Sequence, residues 1–284
     1  MKVLVLGASG MAGHVVSLYF KENGFEVDTL SSKHRFDKNT HLINVTNTHE
    51  LTELLDSRRY DAVINCIGLL VKQCEERKDL AVYLNSYLPH FLENYYKSSK
   101  TKVIHISTDE VFSSKNLPYR ENSAYDSESF YGRTKALGEI INDKDVTFRT
   151  SIVGPAMQKD GTGLFNWFYE QTGEINGYTK TIWNGVTTLE LAKAMKAAIE
   201  QNLTGIYHLV PKNNTSKFNL LQLFKEVLDR TDINVKQVDG LDINRTLTNT
   251  RRDFDYKVSD YRTMVRDLRA WIESHPKLYK HYEK

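Results

Sequence analysis

The chain has 284 residues, 40% hydrophobic and 26% charged, enough to bury one large core or two modest ones. With 38 basic against 36 acidic residues it gives no reason to expect non-specific nucleic-acid binding, and its 15 glycines, about 5%, exclude collagen-like or glycine-rich disordered sequence. Two cysteines, Cys66 and Cys74, are neither a disulfide framework nor a CxxC pair, and the longest apolar run, 62–71, is broken by Asn65 and Gly68 and is too short to cross a bilayer. The N-terminal apolar run leads into a glycine motif in place of a signal cleavage site, so the expectation is a soluble cytoplasmic protein in a reducing setting, with no membrane and no nucleic-acid partner. Charge is uneven: residues 245–284 carry 10 basic and 6 acidic side chains, leaving the remainder at −2.

In chain order, Lys2–Leu6 reads as a β-rich run, and Met11–Glu22 as an amphipathic helix stopped by Asn23-Gly24. Phe25–Leu30 and a short His41–Asn44 read as strands, Thr48–Asp56 as a helix, Ala62–Cys66 as a buried strand and Glu75–Tyr96 as a long helix. Lys102–Ser107 is a further strand, Phe130–Ile141 a helix and Val146–Thr150 a strand. Strands alternating with helices imply a doubly wound parallel sheet, which binds ligands at the carboxyl ends of its strands. After Pro155 the alternation loosens, with helices at Leu189–Gln201, Asn219–Thr231 and Asp260–Ser274 and short strands at Ile206–Leu209 and Val235–Val238. The expected fold is therefore α/β: a Rossmann-type domain over 1–153 and a smaller α/β cap for substrate over 154–284, with the site between them.

Gly7, Gly10 and Gly13 follow the first strand directly and open the first helix. That placement suits a tight turn, close approach of backbone to a pyrophosphate and close helix–sheet packing, with free N–H groups at the helix start. A glycine-rich turn without a ligand is the competing reading. An acid ~20 residues past the glycines would hold a ribose 2′-hydroxyl. Ser31 stands there instead, followed by Ser32, Lys33, His34 and Arg35. Hydroxyls with Lys33 or Arg35 suit a 2′-phosphate, so NADPH/NADP+ is expected, with NADH as the alternative. Solvated loop charges are the competing reading of Lys33 and Arg35.

Tyr131 and Lys135 lie four apart on one helical face. An ammonium beside a phenol lowers the phenol pKa and suits the tyrosine to proton transfer at a carbonyl or hydroxyl. Thr108 ends the strand Lys102–Ser107 at the ligand edge and can hydrogen-bond the same oxygen, or simply cap the next turn.

Together these motifs resemble the extended short-chain dehydrogenase/reductases that act on nucleotide sugars, in particular the dTDP-4-dehydrorhamnose reductase-like, sugar nucleotide-binding branch. The resemblance runs over nearly the whole chain. It is carried by VLVLGASGMAG, INVTN, VINCIG, LNSYLPHFL, HISTDEVF, YGRTKALGE and RTSIVGP. It implies Thr108, Tyr131 and Lys135 as the catalytic set. It further implies cofactor contacts from Gly7, Ser9, Gly10, Met11, Gly13, Asn44, Val45, Cys66, Ile67, Gly68 and Asn85, besides Tyr131 and Lys135. Asn44 stands where the family usually has Asp beside the adenine.

The resemblance implies reduction of the C4 keto group of a 4-keto-6-deoxy nucleotide sugar, UDP- or dTDP-linked, in polysaccharide precursor synthesis. Tyr131 gives the proton, Lys135 holds the nicotinamide ribose and depresses the Tyr131 pKa, and Thr108 bonds the developing alkoxide. Asp109-Glu110 departs from this pattern and resembles nucleotide-sugar 4,6-dehydratases; an epimerase and a non-catalytic binding subunit also remain open. The length, Ser86-Tyr87-Leu88-Pro89, Arg133, Gly138-Glu139 and Ser31 favour the reductase. Asp109 and Glu110 belong to the substrate end. Arg245, Arg251 and Arg252 are candidates for the diphosphate, and Trp183 for a sugar-pocket wall or a core aromatic. The histidines lack ligand spacing, so no metal is expected. A homodimer is an open expectation.

Overall fold

The computed structural model describes residues 1–282. The elements in chain order are β1 (Lys2–Leu6), α1 (Met11–Glu22), β2 (Glu26–Ser31), β3 (Thr40–Leu42), α2 (Thr48–Ser57), β4 (Ala62–Asn65), α3 (Val71–Glu76) and α4 (Lys78–Val82). A π-helical turn at Tyr83–Tyr87 leads into α5 (Leu88–Tyr95), followed by β5 (Lys102–Ser107), a 3-10 turn at Asp109–Val111, α6 (Phe130–Leu137), β6 (Val146–Arg149) and β7 (Ile152–Val153). The remainder comprises α7 (Leu164–Glu170), β8 (Gly173–Tyr178), β9 (Thr181–Trp183), β10 (Val186–Thr187), α8 (Thr188–Glu200), β11 (Gly205–His208), β12 (Thr215–Ser216), α9 (Lys217–Val227), β13 (Ile233–Val238), β14 (Ile243–Asn244) and α10 (Tyr261–Ser274).

A seven-stranded sheet in the order β11-β6-β5-β4-β1-β2-β3 organises the molecule. Every pairing in it is parallel, as the alternation of strands and helices requires. Successive side chains of a strand point to opposite faces. Val3 and Val5 therefore join one core with Val16, Phe20, Ile64, Phe148 and Met195 from α1, α8 and the sheet. Leu4 and Leu6 join the other with Leu51, Leu55, Leu88 and Leu92 from α2 and α5. Each such fully buried side chain contributes roughly 1.5–3 kcal/mol. A third core, built on Phe165, Phe168, Trp183, Leu220, Phe224, Leu268 and Trp271, holds the smaller sheets and helices together.

Two differences from the sequence reading have physical causes. The single helix expected over Glu75–Tyr96 is broken into α3, α4, the π-helical turn and α5. Arg77, at φ −134°, interrupts it, and Pro89 lacks the N–H an unbroken helix would need. Secondly, α8 and β11 fall within the stretch expected to form the cap, yet β11 pairs with β6 at the edge of the main sheet. Residues 154–183 and 209–282 carry two of the smaller sheets, β12-β9-β14 and β13-β8, while the short pair β10-β7 links 152–153 to 186–187. Among the described residues no helix is long and apolar enough to cross a membrane, and no cluster of His, Cys, Asp and Glu is placed to hold a metal ion.

Candidate active site

Two connected cavities open at the carboxyl ends of β1, β2, β4 and β5. The first is a cleft of about 850 Å³ lined by Gly7, Ser9, Gly10, Ser31, Lys33, Asn44, Val45, Cys66, Ile67 and Gly68, among others. Its floor is the glycine turn. Gly7 has φ +80°, and a Cβ on Gly13 would lie 2.1 Å from the Gly7 carbonyl oxygen, so neither position accepts a larger residue without moving backbone. Gly10 caps α1 without any side-chain bond, and His14 N–H is the first to find a helical acceptor, the Gly10 carbonyl at 3.2 Å. The uncapped N–H groups and the open glycine floor fit an anionic diphosphate. Asn44 folds its side chain onto the Thr46 N–H at 3.2 Å and presents its edge to the same cleft.

Other expected cofactor residues stand differently. Ser31 lines the cleft, but its hydroxyl donates to the His34 carbonyl and so closes the loop. Lys33 lines the cleft, whereas Arg35 donates to the Thr40 carbonyl at 2.6 Å and is not part of the wall. Asn85 is wholly buried behind the wall. Its Oδ1 accepts from Leu69 N–H at 2.8 Å, and its Nδ2 donates to Leu69 O, Cys74 Sγ and Thr134 Oγ1. It clamps the loop after Gly68 instead of facing a ligand, because the π-helical turn aims it inward. Met11 belongs to the second chamber.

That second chamber, about 290 Å³, shares Cys66–Gly68 with the cleft and adds Met11, Thr108, Asp109, Glu110, Tyr131 and Lys135. Ser129 caps α6 by accepting from Gly132 N–H at 3.0 Å. A Cβ on Gly132 would lie 2.1 Å from both the Glu110 carbonyl oxygen and Ser127 Oγ. This close approach is what brings Tyr131 beside the Thr108–Glu110 turn. Thr108 caps the turn, its Oγ1 accepting from Glu110 N–H at 3.1 Å, and it also lines the chamber.

Tyr131 corrects one expectation. Its phenol is pushed above the usual range, chiefly by burial and further by the Glu110 and Asp109 charges, with the Thr108 hydrogen bond acting the other way. Lys135 does not reverse this, because its Nζ turns to the Ile106 carbonyl at 2.6 Å and to His105 Nε2 at 3.3 Å. Burial also brings Lys135 down to about 8, against the nearby Glu139 charge.

The substrate end is an acid–cation cluster. Burial raises the carboxyl groups of both Asp109 and Glu110, while Arg245 and Lys217 pull them down. Arg245 lies 3.5 Å from Glu110 Oε2, and its Nε is buried without a partner. Lys217, which the sequence reading missed, starts α9 with its Nζ 5.1 Å from the Trp183 ring centroid. Trp183 itself is 4% exposed and packs in the third core, so it is the core aromatic, with its Nε1 unpartnered. Arg251 and Arg252 do not reach this cluster. Arg251 donates to the Thr204 and Ile206 carbonyls and pairs with Asp253, while Arg252 is exposed and, among the described residues, bonds only the Arg251 carbonyl. The peptide after Thr248 turns toward β11, where Asn249 Nδ2 bonds the His208 carbonyl at 2.9 Å, carrying both arginines away.

Behind Ser107 lies a second unread feature. Arg149 is 1% exposed and forks onto Glu139, with Nη2 to Oε2 at 2.6 Å, and Ser107 Oγ donates to Glu139 Oε1 at 2.5 Å. The sequence signal was present in the motifs YGRTKALGE and RTSIVGP, but pairing them needs the sheet register.

The pattern of a family described as the RmlD substrate binding domain matches residues 1–283. The spore coat polysaccharide biosynthesis protein SpsK of Bacillus subtilis is 29% identical over 214 residues, 73% of this chain and 72% of that protein. The protein of Haloferax volcanii named probable low-salt glycan biosynthesis reductase Agl14 is 34% identical over 161 residues, 54% of each chain. The crystal structure of a dTDP-4-dehydrorhamnose reductase from Bacillus anthracis in complex with NADP superimposes with a TM-score of 0.76 at 20% identity. That superposition covers 95% of this chain and 99% of that one, a likeness of fold.

Proposed function

The chain belongs to the RmlD substrate binding domain family, and from that premise we propose that it is an NADP-dependent oxidoreductase that reduces the C4 keto group of a 4-keto-6-deoxy nucleotide sugar. The observation that carries this reading is the gathering of Thr108, Tyr131 and Lys135 in a chamber that opens, through Cys66–Gly68, into the cleft over the glycine turn. Gly7, Ser9 and Gly10 would hold the cofactor diphosphate, with Met11 on the chamber side of the turn. Lys33 with the Ser31 side of the loop would meet the 2′-phosphate, Asn44 and Val45 the adenine, and Cys66–Gly68, Tyr131 and Lys135 the nicotinamide end. When bound, the cofactor supplies the hydride.

The chain's own residues do the rest. Tyr131, its phenol held above the ordinary range by burial, carries its proton at neutral pH and is the acid that protonates the C4 oxygen. Thr108 bonds the same oxygen as charge develops on it. Asp109 and Glu110 accept from sugar hydroxyls, and Arg245 with Lys217 supplies positive charge for the diphosphate in place of Arg251 and Arg252.

The test is spectrophotometric. Purified protein, NADPH and a 4-keto-6-deoxy hexose linked to UDP or dTDP should show loss of the reduced-nicotinamide absorbance. No oxidation with either ketosugar sinks the reductase reading. The adjacent carboxyls Asp109 and Glu110 are the observation that favours a 4,6-dehydratase, and conversion of the parent UDP- or dTDP-hexose to a 4-keto product without NADPH would establish it. Tyr131→Phe should lower turnover by about 10²–10⁴-fold while NADPH still binds.

A further inference from the structure

Asn65, His105 and Lys135 form a buried chain behind the chamber, 0%, 0% and 4% exposed. The orientation of Asn65 is fixed, because its Oδ1 accepts from Ile67 N–H at 3.1 Å. Its Nδ2 therefore faces His105 Nδ1 at 3.2 Å. An amide nitrogen only donates, so Nδ1 is the acceptor, and a neutral ring then carries its hydrogen on Nε2. Burial and the Lys135 charge keep that ring neutral, far below the usual histidine range. The Nε2–H points at Lys135 Nζ, 3.3 Å away. An ammonium has only donors and meets this hydrogen unfavourably. A neutral amine can accept it with its lone pair and still donate to the Ile106 carbonyl at 2.6 Å.

We propose that Asn65 and His105 act as positioning residues that favour the neutral amine of Lys135, so that in the ligand-free enzyme it stands neutral in mildly alkaline solution, and that filling the cleft there with a polyanionic dinucleotide draws one proton from solvent onto Lys135. The second half rests on the reading of the cleft as a dinucleotide site. The coupling is short-ranged, since the Cβ direction of Gly68, which lines both cavities, ends 4.0 Å from Lys135 Nζ. Phosphate charge in the cleft favours the ammonium, and ligand hydroxyls offer it the acceptors that His105 does not. The charged and titratable groups facing Lys135 are Tyr131 and Glu139 from its own helix region, Cys74 from α3 and His105 from β5; His90 faces the ring from α5. Only Glu139 among these carries a charge that favours the ammonium at neutral pH, and burial outweighs it, bringing Lys135 to about 8.

The experiment titrates the ligand-free protein carrying [13Cε]lysine, with the Lys135 signal assigned by its loss in Lys135→Met. The expected midpoint lies about two units below the ordinary ~10.4 of lysine. Asn65→Asp turns an acceptor to Nδ1, moves the ring hydrogen there and frees the Nε2 lone pair for the ammonium. Asn65→Leu frees the tautomer without adding charge. Both should raise the midpoint by about one unit or more. A wild-type midpoint at or above 10, or no rise in Asn65→Leu, overturns the proposal. Should the variants fail to fold, calorimetry of NADPH binding to wild-type protein in two buffers of different ionisation heat decides. Uptake near one proton per site at pH 9, falling toward zero at pH 6.5, supports it; no uptake at pH 9 overturns it. Failure of NADPH to bind sinks the cofactor reading instead, while the ligand-free titration still judges the role of Asn65 and His105.

Discussion

Glu139→Ala should be among the most damaging single substitutions in this chain, although Glu139 touches no ligand. Its carboxylate is buried with Arg149, which is 1% exposed. Removing it deletes the Arg149 Nε contacts at 2.8 and 3.0 Å, the Nη2 contact at 2.6 Å, and the acceptors for Ser107 Oγ and Tyr125 Oη. The guanidinium would keep only the Glu121 carbonyl at 3.1 Å, His208 Nε2 at 3.2 Å and the faces of Phe112 and Tyr125. Leaving one partner of a buried pair uncompensated costs about 3–5 kcal/mol. The middle of that range is about a thousandfold in the folded-to-unfolded ratio. The double variant Glu139→Leu/Arg149→Met removes both charges and should recover at least half of the loss, because apolar replacement of a buried pair is often neutral. Urea unfolding followed by circular dichroism measures both. A loss below about 1 kcal/mol in Glu139→Ala, or a double variant no better than the single, would refute the reasoning from buried charge.

Gly132→Ala should cut turnover at least tenfold with the fold retained, since its Cβ would sit 2.1 Å from the Glu110 carbonyl and push α6, with Tyr131, off the turn; unchanged kcat would show that the approach is not needed. Lys217→Met should raise KM for the nucleotide sugar by about 10-fold or more, in line with a lost charge-assisted bond. Arg251→Ala should leave KM unchanged and instead lower stability, by about 1–2 kcal/mol, through its bonds to Thr204 and Ile206. Steady-state kinetics beside urea unfolding separates the pair, and the reverse pattern would return Arg251 to the site. His14 is buried between the Gly10 carbonyl and Tyr279 Oη, both at 2.8 Å, and burial brings its pKa to about 4. The folded value lies below the unfolded ~6.5, so the stability from neutral His14 is complete above pH ~6.5 and is lost as pH falls toward 4, up to about 3 kcal/mol. His208, also brought to about 4, acts in the same window. His14→Gln should therefore flatten part of the decline, and an unchanged pH profile would discount it.

Legibility followed the range over which each feature is determined. Local chemistry was readable: the glycine turn, the buried parallel strands and the i, i+4 spacing of Tyr131 and Lys135 depend on residues near in sequence. What escaped depends on which strands become neighbours. Arg251 and Lys217 are both cations near helical segments, and nothing local separates them. The register that sets β11 beside β6 puts the Thr204 and Ile206 carbonyls in front of Arg251, while the start of α9 sets Lys217 over Trp183. The same holds for the pKa of Tyr131. Spacing alone makes Lys135 its electrostatic partner, but β5 brings His105 and the Ile106 carbonyl to the amine, and the competition for Lys135 is settled by a strand the motif does not contain. A phenol left protonated by that competition is in the form a reduction consumes, but an ordinary phenol is already protonated at neutral pH, so diverting Lys135 from Tyr131 leaves the ligand-free phenol the weaker acid.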